Sequence, residues 1–445
     1  MQNGKISSIV FYPFAYALLD EELYDHCWYC LKSSNESVLH RCSSCKTAFF
    51  CNIDCQRLGW MDHKTECRSL AACKPWIPDI EVRFLGRIVT RQMQIQKGQD
   101  KGKENFYLNR TSQRNLIDIC HHEADMHADQ KARKTFEIIY AALVRFYGSN
   151  KLLDKASVFS IHSRNYINRH AISDASYLKE IGKGLYLDLC SYDHSCHPNS
   201  IYICQSFVAT LRPLYSDVDL TNRKTTFYSY IDLLASRVQR RRMLEESWYF
   251  HCSCSRCTNE SDHMLTAVRC PNCAASVAIY EDDALKKDPL RCAMCMSDFA
   301  MGVNEVVKFM NNVEAQMNAL NFEDTMKTFS LLEELIAKSN DLLAAENVYF
   351  ARLYQARMRC TDPSNAAALL EGCLKALPCM LCCFPRNHPA LAYHFMSMGI
   401  YQLRLGLTEA KDNLQNALAR FSFSLGSSHE LTNQCSALIE NLQAD

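Results

Sequence analysis

Between Cys27 and Cys67 the chain reads C-x2-C-x11-C-x2-C-x5-C-x3-C-x7-H-x3-C, with Cys27, Cys30, Cys42, Cys45, Cys51, Cys55, His63 and Cys67 in register. No other stretch restricts the possible folds so sharply. Two cysteines separated by two or three residues can turn both thiolates toward one tetrahedral Zn2+ at about 2.3 Å, and two such pairs close a structural site. The ligands therefore suffice for two zincs. Buried thiols acting as small hydrophobes are the alternative, but a segment this short and polar has too little core to fold without a staple.

Two more clusters lie downstream. "FHCSCSRC" supplies Cys252, Cys254 and Cys257, one ligand short of a closed zinc site, and Cys196 in "SYDHSCHPNS" is the natural fourth. "CPNC" and "CAMC" place Cys270 and Cys273 eighteen residues before Cys292 and Cys295, the spacing of a zinc ribbon. Unrelated surface or core thiols are the competing reading there. "PCMLCCF", with Cys379, Cys382 and Cys383, is one knuckle without a partner among apolar neighbours and reads as helix core.

No run of about 18 apolar residues suggests a membrane span, and the first residues lack a basic n-region and a small-residue cleavage site. These features predict a soluble intracellular protein, in which reduced thiols make metal a better use for 25 cysteines than disulfides. Lysine plus arginine and aspartate plus glutamate both number 49, so nothing draws the whole molecule toward nucleic acid.

At 445 residues the chain should form two to four units, at roughly 100–200 residues each. Gly4 to Leu18 reads as strand punctuated by Pro13, "VRFLGRIVTRQM" as helix, and "QKGQDKGKEN" (Gln96 to Asn105) as a solvated loop. Helical spacing runs from about Asn109 to Tyr147, through Phe136, Ile139, Tyr140, Leu143 and Phe146. "GLYLDLC", "SIYICQSFVATL" and "TTFYSYIDLL" predict short strands in small sheets. Beyond Met301 the pattern is helical, as tetratricopeptide-like hairpins or as a plain bundle.

The finger's spacing and its "WMDHKTEC" ending resemble the MYND zinc finger. The whole order, with "INRHAIS", "GLY", "DHSCHPNS", "SYIDLL" and "WYFHCSCSRC", resembles the SET and MYND domain (SMYD) lysine methyltransferases. The likeness covers nearly the whole chain. It implies an α+β, multidomain fold: a split SET domain of small β-sheets with an inserted MYND finger, a cysteine-rich post-SET segment and a C-terminal tetratricopeptide-like helical domain. The units would be 1–24 (N-terminal SET portion without the family's G-x-G strands), 25–70 (finger), 71–155 (helical insert), 156–240 (core SET), 241–300 (post-SET zinc segment with the extra ribbon) and 301–445 (helices).

The same resemblance implies interleaved finger ligands: Cys27, Cys30, Cys51 and Cys55 on one zinc, Cys42, Cys45, His63 and Cys67 on the other. The implied reaction is methyl transfer from S-adenosylmethionine to a lysine of a histone or another protein. By position, Asn168, Asp193, His194, Tyr230 and Phe250 match cofactor-contacting residues, and Tyr230 the catalytic tyrosine. His170, Tyr230 and Trp248 fall in the substrate channel. Asparagine, phenylalanine and tyrosine are the family's residues at Asp193, His170 and Trp248, and an ionised carboxylate accepts hydrogen bonds without donating them. Two functions follow: a lysine methyltransferase, or a catalytically weak or inactive scaffold that binds proteins. The expected partners are a protein substrate and a proline-rich peptide on the finger, with no membrane and no direct nucleic-acid binding. A monomer in nucleus and cytoplasm is expected.

Overall fold

The structure, a computed structural model, describes residues 7–99, 114–174, 176, 179–281 and 290–444. The chain opens with β1 (Ile9–Phe11) and β2 (Ala15–Leu18), separated at Pro13, and the finger follows with β3 (His40–Arg41), β4 (Phe49–Phe50) and α1 (Ile53–Ala72). Next come α2 (Ile80–Gln96), α3 (Glu123–Ala128), α4 (Gln130–Tyr147) and α5 (Lys155–Asn168). The central strands are β5 (Arg169–Ser173), β6 (Glu180–Leu185), β7 (Asp193–His194), β8 (Ser200–Gln205), β9 (Val208–Pro213) and β10 (Phe227–Tyr228). Then come α6 (Arg237–Trp248), α7 (Ser255–Thr258), β11 (Val268–Arg269) and β12 (Ser276–Val277). Seven helices finish the chain: α8 (Val303–Asn318), α9 (Thr325–Asn340), α10 (Val348–Cys360), α11 (Ala366–Cys383), α12 (Pro389–Arg404), α13 (Ala410–Ser424) and α14 (Glu430–Ala444).

Helix starts follow local chemistry. Asn52, Asp79, Asp129, Asp154, Asn347 and Asn365 each accept a backbone N–H from the first turn they precede.

The sheets join distant parts of the chain. β1 pairs with β9, which pairs with β8, and β2 pairs with β6, which pairs with β5, all antiparallel. β7 and β10 lie parallel, with Asp193 opposite Phe227 and His194 opposite Tyr228. The finger thus sits between two strands at the start of the chain and the partners to which they pair.

Helix α2 secures β2 from its open side. Arg83, Arg87 and Arg91 are buried and donate to the carbonyls of Leu18, Tyr16 and Phe14 respectively. Four residues of helix rise about 6 Å and two residues of strand about 6.6 Å, so the two repeats stay in step. Gly86 lies on the same helix, where an added Cβ would sit 2.4 Å from the Tyr147 ring, so α2 and α4 pack this closely only with glycine there.

Several expectations needed revision. The strand expected over "GLYLDLC" ends at Leu185, and the chain then turns through a 3-10 helix at Leu189–Ser191. Of "TTFYSYIDLL" only Phe227–Tyr228 is strand, because side chains claim the backbone beyond it: His194 accepts the Tyr230 N–H and Asp232 the Leu234 N–H. Helix begins at Glu123, and Gly4, Asn109 and the end of the 96–105 loop lie outside the described residues. Helix α11 has the length and apolarity of a membrane span, with mean hydropathy 1.6, and half of it is buried within the protein.

In the C-terminal part each helix from α9 to α14 packs on the next in sequence. Neighbour-on-neighbour stacking matches hairpin repeats better than a closed bundle. An α+β, multidomain architecture with a terminal helical layer is what the chain adopts.

Candidate functional site

Four groups of metal-ligating side chains come together: Cys27, Cys30, Cys51 and Cys55; Cys42, Cys45, His63 and Cys67; Cys196, Cys252, Cys254 and Cys257; and Cys270, Cys273, Cys292 and Cys295. Within each, all ligand atoms lie within 4.8 Å of one another. Contacting sulfurs are 3.4 to 3.9 Å apart. Four ligands at 2.3 Å from a tetrahedral zinc are about 3.8 Å from each other, whereas a disulfide would need about 2.05 Å. The donor sets suit zinc.

The knuckles share a backbone device. Leu31, Lys46, Ala274 and Met296 each follow the second cysteine of a C-x2-C pair, and all four are left-handed, with φ of 59°, 56°, 59° and 60°. Each donates its N–H to the carbonyl of the first cysteine, at 3.0, 3.0, 2.9 and 2.9 Å. A left-handed non-glycine residue costs about 1–2 kcal/mol. Ribbon and finger pay it at the same position, where it turns two thiolates toward one point.

Side chains behind the ligands orient them. His63 Nε2 faces Cys45 Sγ at 3.5 Å, while Nδ1 meets Glu66 Oε1 at 3.4 Å. Arg87 grips the same carboxylate through Nε and an outer nitrogen, at 3.1 and 2.5 Å. In the third group Arg240 approaches Cys257 Sγ at 3.6 Å and pairs with Asp262 at 2.6 Å.

This third group anchors the candidate catalytic residues. Burial pushes the His194 imidazole down to about 4, so the ring is neutral near pH 7. Its Nδ1 accepts the Tyr230 N–H at 3.0 Å, which places the proton on Nε2, 3.2 Å from Cys196 Sγ. A cysteine of the third metal-ligating group therefore holds the tyrosine's backbone through one imidazole. Both nitrogens are taken, and only the ring face is left for a ligand.

Asn168, His170, Tyr230 and Trp248 line a cavity of about 280 Å³ together with Cys190, Tyr202, Tyr228 and Ser229. Asn168 spends its amide hydrogens on the carbonyls of Cys120 and Arg164, at 2.7 and 2.8 Å, which leaves its oxygen to accept. Trp248 Nε1 donates to Ile167 O at 2.9 Å, and its ring lies 5.6 Å from that of Tyr230. The Tyr230 hydroxyl donates to Tyr192 O at 2.8 Å, and burial, helped by the Asp193 charge, raises its pKa. Phe250 lies behind His194, with ring centroids 6.0 Å apart. Asp193 is exposed and does not line the cavity.

A second cavity, about 330 Å³, shares Ala171, Glu180, Tyr202, Tyr228 and Ser229 with the first and extends to Phe384 and His388 beside the terminal helices. Tyr202, Tyr228, Cys190 and Glu180 were not foreseen from sequence. The one signal was the repeat of tyrosine at 228 and 230, two residues apart, the first on the short strand β10 and the second just past its end.

Comparison with known proteins shows what the chain is similar to. The family model of the MYND finger matches residues 27–67. N-lysine methyltransferase SMYD2-B of Xenopus laevis is 26% identical over 94% of this chain and 89% of its own length. Histone-lysine N-methyltransferase SMYD3 of Homo sapiens is 25% identical over 97% of this chain and 91% of its own length. N-lysine methyltransferase SMYD2 of Homo sapiens is 24% identical over 96% and 91%.

Proposed function

We propose, from the premise that this chain is a member of the SET and MYND domain family, that it is an S-adenosylmethionine-dependent protein-lysine N-methyltransferase. One observation carries the reading: two cavities meet at Tyr202, Tyr228 and Ser229, one beside the zinc-anchored Tyr230 and the other against the terminal helices. The two adjoining cavities thus give a methyl donor and a protein lysine separate places to bind.

The residues present fit such a donor. The Asn168 amide oxygen offers an acceptor for its ammonium, and the rings of Tyr230, Trp248 and, beyond them, Phe250 offer apolar faces. When bound, S-adenosylmethionine supplies a methyl on sulfonium sulfur, whose S–C bond breaks as the lysine lone pair forms N–C, the electron pair staying on sulfur and the surplus amine proton passing to solvent. His170, Tyr228 and Tyr230 surround the amine with low-dielectric surface, which disfavours the ammonium and favours the neutral nucleophile. Alignment of this kind supplies up to about 7–11 kcal/mol in favourable cases.

Calorimetric titration of the full chain with S-adenosylmethionine, followed by labelled methyl transfer to lysines of a histone and a non-histone extract, tests the proposal. Saturable binding and labelled lysine are expected. Absence of binding would leave the scaffold reading. That role has its own support, because Ile53 and Trp60, seven residues apart on α1, are 73% and 43% exposed and present an apolar face to a proline-rich segment.

The four ligand groups predict four zincs per chain by elemental analysis, with the ribbon as the fourth; a value of three would remove it. Asp193→Asn should tighten S-adenosylmethionine binding by no more than about fivefold, since exposed charges contribute about 0.2–1 kcal/mol. A hundredfold gain by calorimetry would contradict that placement.

A further inference from the structure

Strands β11 and β12 of the ribbon are two residues each, too short to persist as an isolated hairpin in water. Yet β11 is paired on both flanks. Val268 lies opposite Val277 of β12 on one side and opposite Leu343, in the turn between α9 and α10, on the other. The Arg269 N–H donates to Leu342 O at 2.8 Å and the Ala344 N–H to Ala267 O at 3.1 Å. The turn thus joins the ribbon as a third strand.

Side chains extend this junction. Buried Asn347 caps α10 with its amide oxygen, which accepts the Tyr349 and Phe350 N–H groups, and donates from its amide nitrogen to Ala267 O at 2.9 Å. Ser276 Oγ donates to Glu346 Oε2 at 2.9 Å. Val268, Ile279 and Leu290 of the ribbon share one core with Val306, Met310 and Val348 of the terminal helices. Cys270 follows Arg269 directly, so the ligand knuckle and the doubly paired strand are one continuous segment.

Among the described residues, this group alone of the four has an exposed ligand: Cys273 is exposed and Cys295 half-buried, beside buried Cys270 and Cys292. Solvent access governs how easily a ligand is displaced. We propose that the ribbon's Zn2+ is an exchangeable clasp: it orders β11, β11 holds the turn between α9 and α10, and the anchoring of the terminal helices to the preceding chain therefore depends on this metal. A hairpin with so few ladder bonds draws its order from the four thiolates at its end, as small metal-stapled units do. The clasp stands whether or not the chain transfers methyl groups.

The test uses the full chain, with hydrogen exchange read peptide by peptide by mass spectrometry and zinc read by elemental analysis. Cys273→Ser removes an exposed ligand and so disturbs little packing. The variant should hold one zinc fewer and exchange about tenfold faster over residues 267–270 and 342–350, the effect of about one net hydrogen bond, while α1 of the finger keeps its rate. Stepwise chelation of the unaltered chain should give the same pattern as the first zinc leaves, and returning Zn2+ should reverse it. Asn347→Ser retains a helix cap but no amide donor, and should speed exchange at 342–350 with every zinc in place. Loss of one zinc with unchanged exchange at 342–350 would overturn the clasp. A first released zinc that loosens α1 before 342–350 would overturn it too, and undiminished zinc in Cys273→Ser would remove the metal from the ribbon.

Discussion

Replacing Cys257 by serine should cost the chain one zinc and weaken S-adenosylmethionine binding by at least about 100-fold, more than any single contact to the ligand could account for. The thiolate is one of four ligands in a closed group with Cys196, Cys252 and Cys254, and a serine hydroxyl does not replace it. Structural zinc contributes apparent binding energies of about 10–16 kcal/mol, enough to order a loop of this kind when the metal is bound. The damage then passes inward. Without the metal Cys196 is no longer a fixed acceptor for His194 Nε2, and His194 is the group that accepts the Tyr230 N–H. Phe250, two residues before Cys252, loses its support as well. Elemental analysis, calorimetry and circular dichroism on the same sample separate the outcomes. One zinc fewer with undiminished binding would show that the third metal group does not position the site.

Glu66→Gln is expected to destabilise the fold by about 3–5 kcal/mol, the cost of leaving a buried charge without its partner. Glu66 is fully buried and its carboxylate is shared by Arg87 and by the ring of the ligand His63. Glutamine keeps the shape but leaves the Arg87 guanidinium uncompensated. The substitution also weakens the orientation of His63, for which about 10–100-fold in zinc affinity is typical. The pH dependence has a definite sign. Burial opposes ionisation, but Arg87 and His63 outweigh it and hold the carboxyl at about 2, below the ordinary 4.5. The stabilisation is therefore complete above pH 4.5 and is lost as the pH falls from there through about 2. Urea midpoints across that range should fall more steeply for the unaltered chain than for the variant. Parallel curves would remove Glu66 from the stability of the finger.

The metal groups were legible in the sequence because zinc imposes short, local spacings on its ligands, and the terminal helices because their apolar period is also local. What stayed hidden depends on distant pairing. The bond between His170 and Tyr228 joins residues 58 apart, and no pattern near either one announces it. Asp193, matched by position to a cofactor-contacting residue, is exposed on the parallel strand pair, one residue before the buried His194, a placement that no local pattern gave away. Alternation along that strand sends neighbours to opposite sides. The helix over "VRFLGRIVTRQM" was expected, but its arginines at 83, 87 and 91 are buried where a helix pattern alone would leave them in solvent. Their partners are carbonyls of a strand that precedes the finger, which only the folded topology brings near.

Those three arginines have a further consequence. Strand β2 ends its sheet, and a bare end strand offers a row of free carbonyls to any extended segment that drifts past. The guanidinium groups fill that row one by one, as a docked strand would, without creating another edge beyond themselves. Growth of the sheet from one molecule into the next is thereby stopped at α2.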